Sequence, residues 1–346
     1  MISSFQNKNS SSTHALPKNS GVVRALGITS GGLDSILSAL ILREQGIDVE
    51  WVNFETPFFG SEKARKAALM AGIPLTVKRI TQTYMEMLKD PHCGYGGNMN
   101  PCLDCHALMF RLAGSIMKER GVHFLFSGEV MGQRPMSQTK PSLRYVEKNS
   151  GFDGYILRPL SAKVLPPTIV EEQGLVDRER LLGLSGRGRK DQMRLAQDFG
   201  ISDYPAPAGG CLLTDVGFSR RLKDLLEHDN SPQERDLELL KFGRHFRLGG
   251  KHKVIVGRTK KDNKQIVDLV DPRFDITLRM IDMPGPTVLI PYGGPEEVIR
   301  AAACLCAAYS KVKDGISARV FSSTPDGPKR MTAIAGLRKK FLSYVI

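Results

Sequence analysis

The sequence predicts an α/β protein built on a doubly wound parallel sheet, with a C-terminal α+β module. Three observations support this prediction. Apolar runs alternate with segments of helical periodicity over residues 22–129, and a glycine-rich turn follows the first run. Beyond residue 235, strand-like runs divided by turn residues replace the alternation. Strands that alternate with helices at this spacing form βαβ units, whose strands run parallel.

The elements of the first region follow in a regular order. Residues 22–29 form an apolar strand candidate, and residues 34–46 are predicted to be helical because their apolar residues recur at helical spacing before Gly46. The remaining predictions are strand 49–54, helix 63–74, strand 75–80, helix 106–121, strand 122–129 and helix 191–200. Ligands of such sheets bind at the carboxyl ends of the strands.

The C-terminal region is predicted to contain four strands and one helix. The strand-like runs are 252–259, 264–271, 276–282 and 287–292, and an alanine-rich helix is predicted at 295–312. The chain is therefore divided into a disordered tail rich in Ser and Asn, an α/β domain, a linker and a basic α+β domain, at 1–20, 21–215, 216–235 and 236–346.

The charge distribution favours an anionic partner. The chain has 49 Lys and Arg against 36 Asp and Glu, a formal charge of +13. Residues 236–346 hold 20 basic and 11 acidic side chains, so most of the excess lies there. No apolar run approaches the roughly 18–20 residues of a membrane helix. The N-terminus lacks the apolar core of a secretory signal, so we expect a cytoplasmic protein with reduced cysteines.

The stretch GITSGGLDS, residues 27–35, is a candidate phosphate-binding loop. A strand, a glycine-rich turn and a helix start point unpaired backbone N–H groups at an anion. The loop matches neither the Walker A nor the dinucleotide-binding pattern. Asp34 would repel phosphate unless Mg²⁺ lies between them or the carboxylate caps the helix. A tight turn with capping residues is the alternative interpretation. Close approach and hydroxyl donors are expected from Ser30, Gly31, Gly32 and Ser35.

The cysteines form a second candidate site. Cys102 and Cys105 form a C-x-x-C pair at the front of a predicted helix, where the thiolate form is favoured. Cys211 lies in a loop rich in Gly and Pro. An iron–sulfur cluster on these three residues would leave one iron without a protein ligand. A structural zinc site that includes Cys93, or a persulfide relay, is the alternative. Two further cysteines on the alanine-rich helix are predicted to be small core residues, Cys304 and Cys306.

Several motifs resemble one enzyme family. SGGLDS resembles the S-G-G-x-D-S loop of the PP-loop ATP pyrophosphatases. SGEVMGQRPMSQT, residues 127–139, resembles the GE-x-x-GQ-x-x-SQT segment of tRNA 4-thiouridine synthetases, and ILRPL, residues 156–160, resembles the strand that follows there. With NPCLDCH and PAGGCLLTD, the span from 24 to about 215 is similar to thiouridylase-like PP-loop proteins. Part of the C-terminal domain resembles the RNA-binding domain of the fibronectin-binding and ribosome-quality-control family.

The resemblance implies an ATP-dependent tRNA thiouridylase, which adenylates a uridine carbonyl and replaces its oxygen with sulfur. It implies that ATP and Mg²⁺ contact Ser30, Gly31, Gly32, Asp34, Ser35, Gly128 and Gln133. Catalysis would then depend on Asp34, Cys102, Cys105 and Cys211, and the three cysteines would hold a [4Fe-4S] cluster, with zinc as the alternative metal. The implied partners are tRNA and a sulfur donor, either sulfide or a cysteine desulfurase. Arg158, Gln133 and Lys140 are candidates for offsetting developing charge.

The basic C-terminal domain is the predicted RNA-binding part. Residues 241–264 hold nine basic residues and one acidic residue, with Phe242 and Phe246 among them, and such aromatics stack on bases. The basic loop SGRGRK, residues 185–190, is a candidate extension of this path. A solvated charged face is the alternative. Two other functions stay open: an enzyme that adenylates a small molecule, and a non-catalytic RNA-binding protein.

Overall fold

The computed structural model describes residues 21–204, 210–336 and 338–346. The predicted disordered tail 1–20 lies outside these ranges. The described residues form two compact units. The first unit consists of residues 21–55, 60–80 and 102–204. The second unit consists of residues 56–59, 81–101, 210–336 and 338–346. The domain limits predicted from the sequence stay predictions.

The first unit contains a five-stranded sheet in which every strand pair is parallel. Its strands are β1 (Arg24–Ile28), β2 (Asp48–Glu55), β3 (Leu75–Arg79), β4 (Phe124–Ser127) and β5 (Ile156–Leu157). The order across the sheet is β3-β2-β1-β4-β5. The chain therefore adds β2 and β3 on one side of β1 and then β4 and β5 on the other side. The strand order reverses between β1 and β4, which creates a crevice there at the carboxyl ends of the strands. The predicted doubly wound sheet is confirmed.

Eleven α-helices lie in the described part of the chain. None of them is long and apolar enough to cross a membrane. Helices α3 and α8 to α11 belong to the second unit. In chain order the helices are α1 (Leu33–Glu44), α2 (Glu62–Ala71), α3 (Thr81–Lys89), α4 (Cys102–Arg120), α5 (Lys140–Ser150), α6 (Ile169–Glu172), α7 (Lys190–Asp198), α8 (Val216–His228), α9 (Glu234–Leu239), α10 (Lys260–Asp268) and α11 (Glu296–Ala308).

The core of the first unit forms where α1 packs on the sheet. Apolar side chains of α1 recur at helical spacing and are fully buried, among them Ile36 and Leu37. They join the aromatic side chains of Trp51, Phe124 and Phe126 in one cluster. Burial of these side chains fixes α1 against β1 and β4. The start of α1 is consequently held at the carboxyl edge of the sheet.

The second unit contains a six-stranded antiparallel sheet. Its strands are β6 (Arg244–Leu248), β7 (His252–Val256), β8 (Ile276–Met280), β9 (Val288–Ile290), β10 (Ser317–Thr324) and β11 (Gly327–Ile334). Their order is β11-β10-β8-β9-β7-β6. Helix α11 covers one face, where its apolar side chains share a core with those of the strands. The predicted C-terminal α+β module is confirmed.

Two local predictions in this module are wrong. The run 264–271 was expected to be a strand but lies largely in α10, where Thr259 accepts a hydrogen bond from the backbone N–H of Asp262 at 3.0 Å and caps the helix. Its buried residues are Asp262 and Ile266, which are four apart in the chain, and this is helical spacing. The expected base-stacking role of Phe246 is also wrong, because strand alternation points this side chain into the core. Phe242 is partly buried against another apolar cluster.

Candidate active site

The glycine-rich loop lies between β1 and α1 in the first unit. Gly31 has a φ of +75°, and a Cβ atom there would lie 2.3 Å from the carbonyl carbon and oxygen of Lys63. Only glycine fits this close approach to α2. Gly32 is the N-cap residue of α1, and no side chain hydrogen-bonds to the start of the helix in its place. The backbone N–H groups of Leu33 and Asp34 at the helix start are therefore available to an anion, whereas that of Ser35 donates to the carbonyl of Gly32 at 3.1 Å.

A second glycine brings β4 against the same helix. A Cβ atom on Gly128 would lie 2.4 Å from the backbone nitrogen of Ser35 and 2.5 Å from the carbonyl carbon of Asp34. The hydroxyl of Ser38 also donates to the carbonyl of Ser127 at 3.3 Å. The chain after β4 and the first turn of α1 therefore meet backbone to backbone. This contact assembles one site from two segments of the first unit.

Asp34 is the polar centre of this site. The Nε2 group of Gln133 donates to Asp34 Oδ2 at 3.0 Å, whereas Asp34 Oδ1 is buried and has no hydrogen-bond partner among the described residues. Burial raises the pKa of the Asp34 carboxyl, although the hydrogen bond from Gln133 and the charges of Arg189 and Arg134 oppose this shift. An unpartnered carboxylate oxygen at an uncapped helix start fits a hard cation. Mg²⁺ is often held by one or two carboxylates and substrate phosphates.

Two basic side chains complete the surroundings of Asp34. Arg134 follows Gln133 in the chain, and Arg189 lies in the predicted basic loop 185–190. The backbone N–H of Gly186 donates to the carbonyl of Met131 at 2.8 Å, so the two loops are joined. Neither arginine was expected beside Asp34 from the sequence. For Arg189 the only signal was the basic character of the loop 185–190, which carries no information about the position of the loop in the fold.

A buried ionic network connects the cysteine-bearing helix α4 with the segments that follow β4 and β5. Glu129 accepts hydrogen bonds from Arg158 Nε at 3.0 Å and from Ser127 Oγ at 3.1 Å, and its Oε1 lies 2.8 Å from His106 Nδ1. Burial by itself raises the pKa of Glu129, but Arg158 and His106 outweigh it and lower the pKa to about 2. Arg158 also pairs with Glu147 and is itself buried. Arg158 therefore positions Glu129 and His106.

The predicted cysteine site is divided between the two units. Cys102 and Cys105 lie in the first turn of α4 in the first unit, both half-buried, and their spacing of three places them on one helical face. Cys211 belongs to the second unit and is also half-buried. Cys93, in the same unit, is exposed. The three-cysteine site stays a prediction.

The two cysteines of α11 have the predicted structural character. Cys306 is fully buried and its Sγ lies 3.7 Å from the carbonyl oxygen of Pro286. Burial raises the pKa of the Cys306 thiol to about 12. Cys304 packs at the edge of the same core. The buried Cys306 thiol is therefore not suited to ligate a metal or attack a substrate.

Two family models match the chain. Residues 20–163 match the model described as thiamine biosynthesis protein (ThiI), and residues 243–343 match the NFACT protein RNA binding domain. The first part of the chain is therefore similar to ThiI and the C-terminal part to the NFACT protein RNA binding domain. The first match includes the glycine-rich loop, Asp34, Gln133 and the C-x-x-C pair, and the second includes strands β6 to β11.

Individual proteins are also similar to parts of the chain. The tRNA-specific 2-thiouridylase MnmA 2 of Thermoanaerobacter sp. (strain X514) is 25% identical over 265 residues, which cover 68% of this chain. The aligned part spans 66% of that relative. A predicted tRNA methyltransferase subunit from Methanocaldococcus jannaschii is 17% identical, with a TM-score of 0.34 over 51% of this chain and 76% of that chain. A 4-thiouridine synthetase in complex with RNA and ATP is 21% identical, with a TM-score of 0.33 over 52% of each chain.

Proposed function

We propose that this protein is an ATP-dependent tRNA sulfurtransferase, which replaces a uridine carbonyl oxygen with sulfur. The observation that carries the proposal is the buried, unpartnered Oδ1 of Asp34 at a glycine-shaped helix start. This arrangement suits the magnesium-bound triphosphate of ATP. The match to ThiI and the similarity to a tRNA thiouridylase support the choice of tRNA thiolation among the reactions that use ATP.

The first chemical step activates the base. The uridine carbonyl oxygen attacks the α-phosphorus of ATP, an O–P bond forms, and the bond from the α-phosphorus to the bridging oxygen breaks as pyrophosphate leaves. The base loses its N3 proton in this step. The N–H groups at the start of α1 would hold the departing pyrophosphate, and Arg134 and Arg189 would offset its charge. Asp34 would hold Mg²⁺, which neutralises phosphate charge when bound.

The second step exchanges oxygen for sulfur. A hydrosulfide adds to the activated carbon, the C–O bond breaks, and AMP leaves with the former carbonyl oxygen. The S–H proton replaces the proton lost from N3, and no further reductant is needed. The sulfur donor in this proposal is sulfide, supplied free or by a cysteine desulfurase.

We assign sulfur delivery to the half-buried thiols of Cys102, Cys105 and Cys211. Thiolates are the usual protein ligands of iron–sulfur clusters, so the donor set fits a [4Fe-4S] cluster. When bound by three thiolates, such a cluster offers one iron for a sulfur ligand. A zinc site or a persulfide relay on the same thiols is the competing assignment.

The function is tested by incubating anaerobically reconstituted protein with ATP, tRNA and sulfide. We expect thiouridine in the digested tRNA and one pyrophosphate released for each sulfur inserted. Absence of thiouridine with a fully loaded cluster contradicts the proposal. Pyrophosphate release that is independent of RNA favours adenylation of a small molecule, and RNA binding without ATP turnover favours a non-catalytic role.

The metal assignment is tested separately by purification without oxygen. We expect a brown protein that contains iron and acid-labile sulfide. Cys211→Ala should lose the colour, whereas Cys304→Ala, which removes a thiol from α11, should keep it. A colourless protein with one zinc per chain favours a structural zinc site. A colourless protein that carries a persulfide favours the relay.

A further inference from the structure

One face of the C-terminal sheet is open along three of its strands. In β8, β10 and β11, alternate residues contribute to the core beneath α11, among them Leu278 and Val320. Alternation places the residues between them on the opposite face. There Arg279 and Arg330 are exposed, and Phe321 is half-buried. This face therefore presents side chains to solvent, in contrast to the face beneath α11.

Three of these side chains form a row across the strands, which we call the Phe321 row. Phe321 is directly opposite Arg279 in β8 and Arg330 in β11. The guanidinium carbon of Arg279 lies 4.9 Å from the centre of the Phe321 ring. Within the described residues, neither Arg279 nor Arg330 forms a salt bridge. The row is thus an aromatic ring between two cations that have no carboxylate partner.

The charge of these strands favours an anionic partner. Strands β8, β10 and β11 contain four basic residues and no acidic residue. One of these basic residues, Arg319, is less available to an anionic partner, because it pairs with Asp282. The basic residues are Arg279, Arg319, Lys329 and Arg330. Alternation places Arg279, Arg319 and Arg330 on the face of Phe321, whereas Lys329 lies on the face of α11. Such a surface complements a phosphate backbone, and the ring at its centre provides a stacking platform.

We propose that the Phe321 row stacks an unpaired base of bound RNA while Arg279 and Arg330 contact the adjacent phosphates. The inference rests on the proposed function, because it requires RNA as the partner. Single-stranded RNA fits better than a duplex, since stacking on a side chain needs a base that is free of its pair. The row thereby replaces Phe242 and Phe246 as the aromatic contribution to RNA binding.

The chain offers a matched control for this row. Phe274 is half-exposed, and the guanidinium carbon of Arg273 lies 5.2 Å from its ring centre. This is the same kind of arginine–aromatic pair in the same module, but it lies in the loop before β8. Arg273 also pairs with Asp271, so its charge is already neutralised. If an exposed aromatic beside an arginine were sufficient, both sites would contribute equally to RNA binding.

The test measures the affinity of the full-length protein for a short fluorescent single-stranded RNA by anisotropy. Phe321→Ala should weaken binding about tenfold, in line with the loss of one stacked base. Phe274→Ala should bind as the wild type, and Phe321→Tyr should keep most of the affinity. The salt dependence of binding should be the same in Phe321→Ala and the wild type, because no phosphate contact is removed. Equal affinity for Phe321→Ala and the wild type overturns the inference.

A tryptophan reporter tests the contact directly. The natural Trp51 is fully buried in the first unit, so the wild type supplies the background signal. Fluorescence of Phe321→Trp should be quenched by RNA at saturation, whereas that of Phe274→Trp should not change. If Phe321→Trp binds RNA with normal affinity but its fluorescence is not quenched, the stacking proposal is overturned, while RNA remains the partner. A wild type that binds no RNA instead contradicts the proposed partner itself.

Discussion

Replacing Asp34 with asparagine should stabilise the protein and abolish its activity. Oδ2 of Asp34 accepts from Gln133, but Oδ1 is buried without a partner, and burial raises the pKa of this carboxyl. Because the pKa is higher in the folded than in the unfolded state, the folded protein binds the proton more tightly. The free energy of unfolding therefore falls as pH rises through the interval between the two values. At neutral pH, the ionised Asp34 destabilises the fold.

The magnitude follows from the one atom that lacks a partner. Asparagine keeps the shape and the hydrogen bond with Gln133, but leaves a neutral amide nitrogen at the position of Oδ1. A buried polar atom without a partner costs about 1–3 kcal/mol, and a charged one costs more. Removing only the charge should raise the free energy of unfolding by about 1 kcal/mol. For a domain of about 150–250 residues, this raises the melting temperature by about 2–4 °C. Loss of the metal contact should lower thiolation at least ~100-fold.

The assay is thermal unfolding without Mg²⁺ and ATP, combined with the tRNA thiolation assay. Asp191→Asn is the matched control, because Asp191 is also in the first turn of a helix, α7, but its side chain is 60% exposed. It should change neither measurement. A melting temperature of Asp34→Asn at or below that of the wild type would refute the reasoning about burial. Wild-type activity in this variant would refute the role of Asp34.

Two further predictions concern the residues that support the site. Gly128→Ala would place a Cβ atom 2.4 Å from the backbone nitrogen of Ser35, so it should lower the affinity for ATP about 100-fold, as measured by calorimetry. Gly60→Ala is the control, because nothing lies within 4 Å of a Cβ atom there, and its affinity should be that of the wild type. Equal affinities of Gly128→Ala and the wild type would contradict the prediction. Glu129, whose pKa is lowered from 4.5 to about 2, should contribute stability that is complete above pH 4.5 and lost as pH falls towards 2. In urea unfolding, Glu129→Gln should lose less free energy of unfolding than the wild type over this pH interval. If the free energies of unfolding of the two proteins fall in parallel with pH, the role assigned to Glu129 is contradicted.

The order of elements in the first unit from β1 to β4 could be predicted because local periodicity decides it, whereas α5 and α6 were not predicted. Ile36 and Leu37 of α1 belong to a helical pattern that the core enforces, and the apolar strands β1, β2 and β4 have no alternative to burial. The loop around Gly31 was also predictable. Its residues act through backbone conformation and hydrogen bonding, which are properties of a short contiguous segment.

Predictions that depended on which face a residue occupies were less successful. Residues 264–271 contain a short apolar run that suits a strand or a helix, and the cap at Thr259 decided for the helix. Phe246 appeared among basic residues, but alternation in β6 directs it to the core and leaves Arg247 on the other face. Composition identified the basic module, whereas register was needed to find the Phe321 row.

The sequence by itself determined the doubly wound sheet, the glycine-rich turn between strand and helix at residues 27–35 and the basic charge of the C-terminal module, because each depends on neighbours along the chain. Only the tertiary structure decided what surrounds Asp34. Gln133 lies 99 residues away in the chain, and Arg189 approaches from a third segment. Burial and the absence of a partner for Oδ1 arise when these segments pack together. The electrostatics of the site are therefore a property of the folded core.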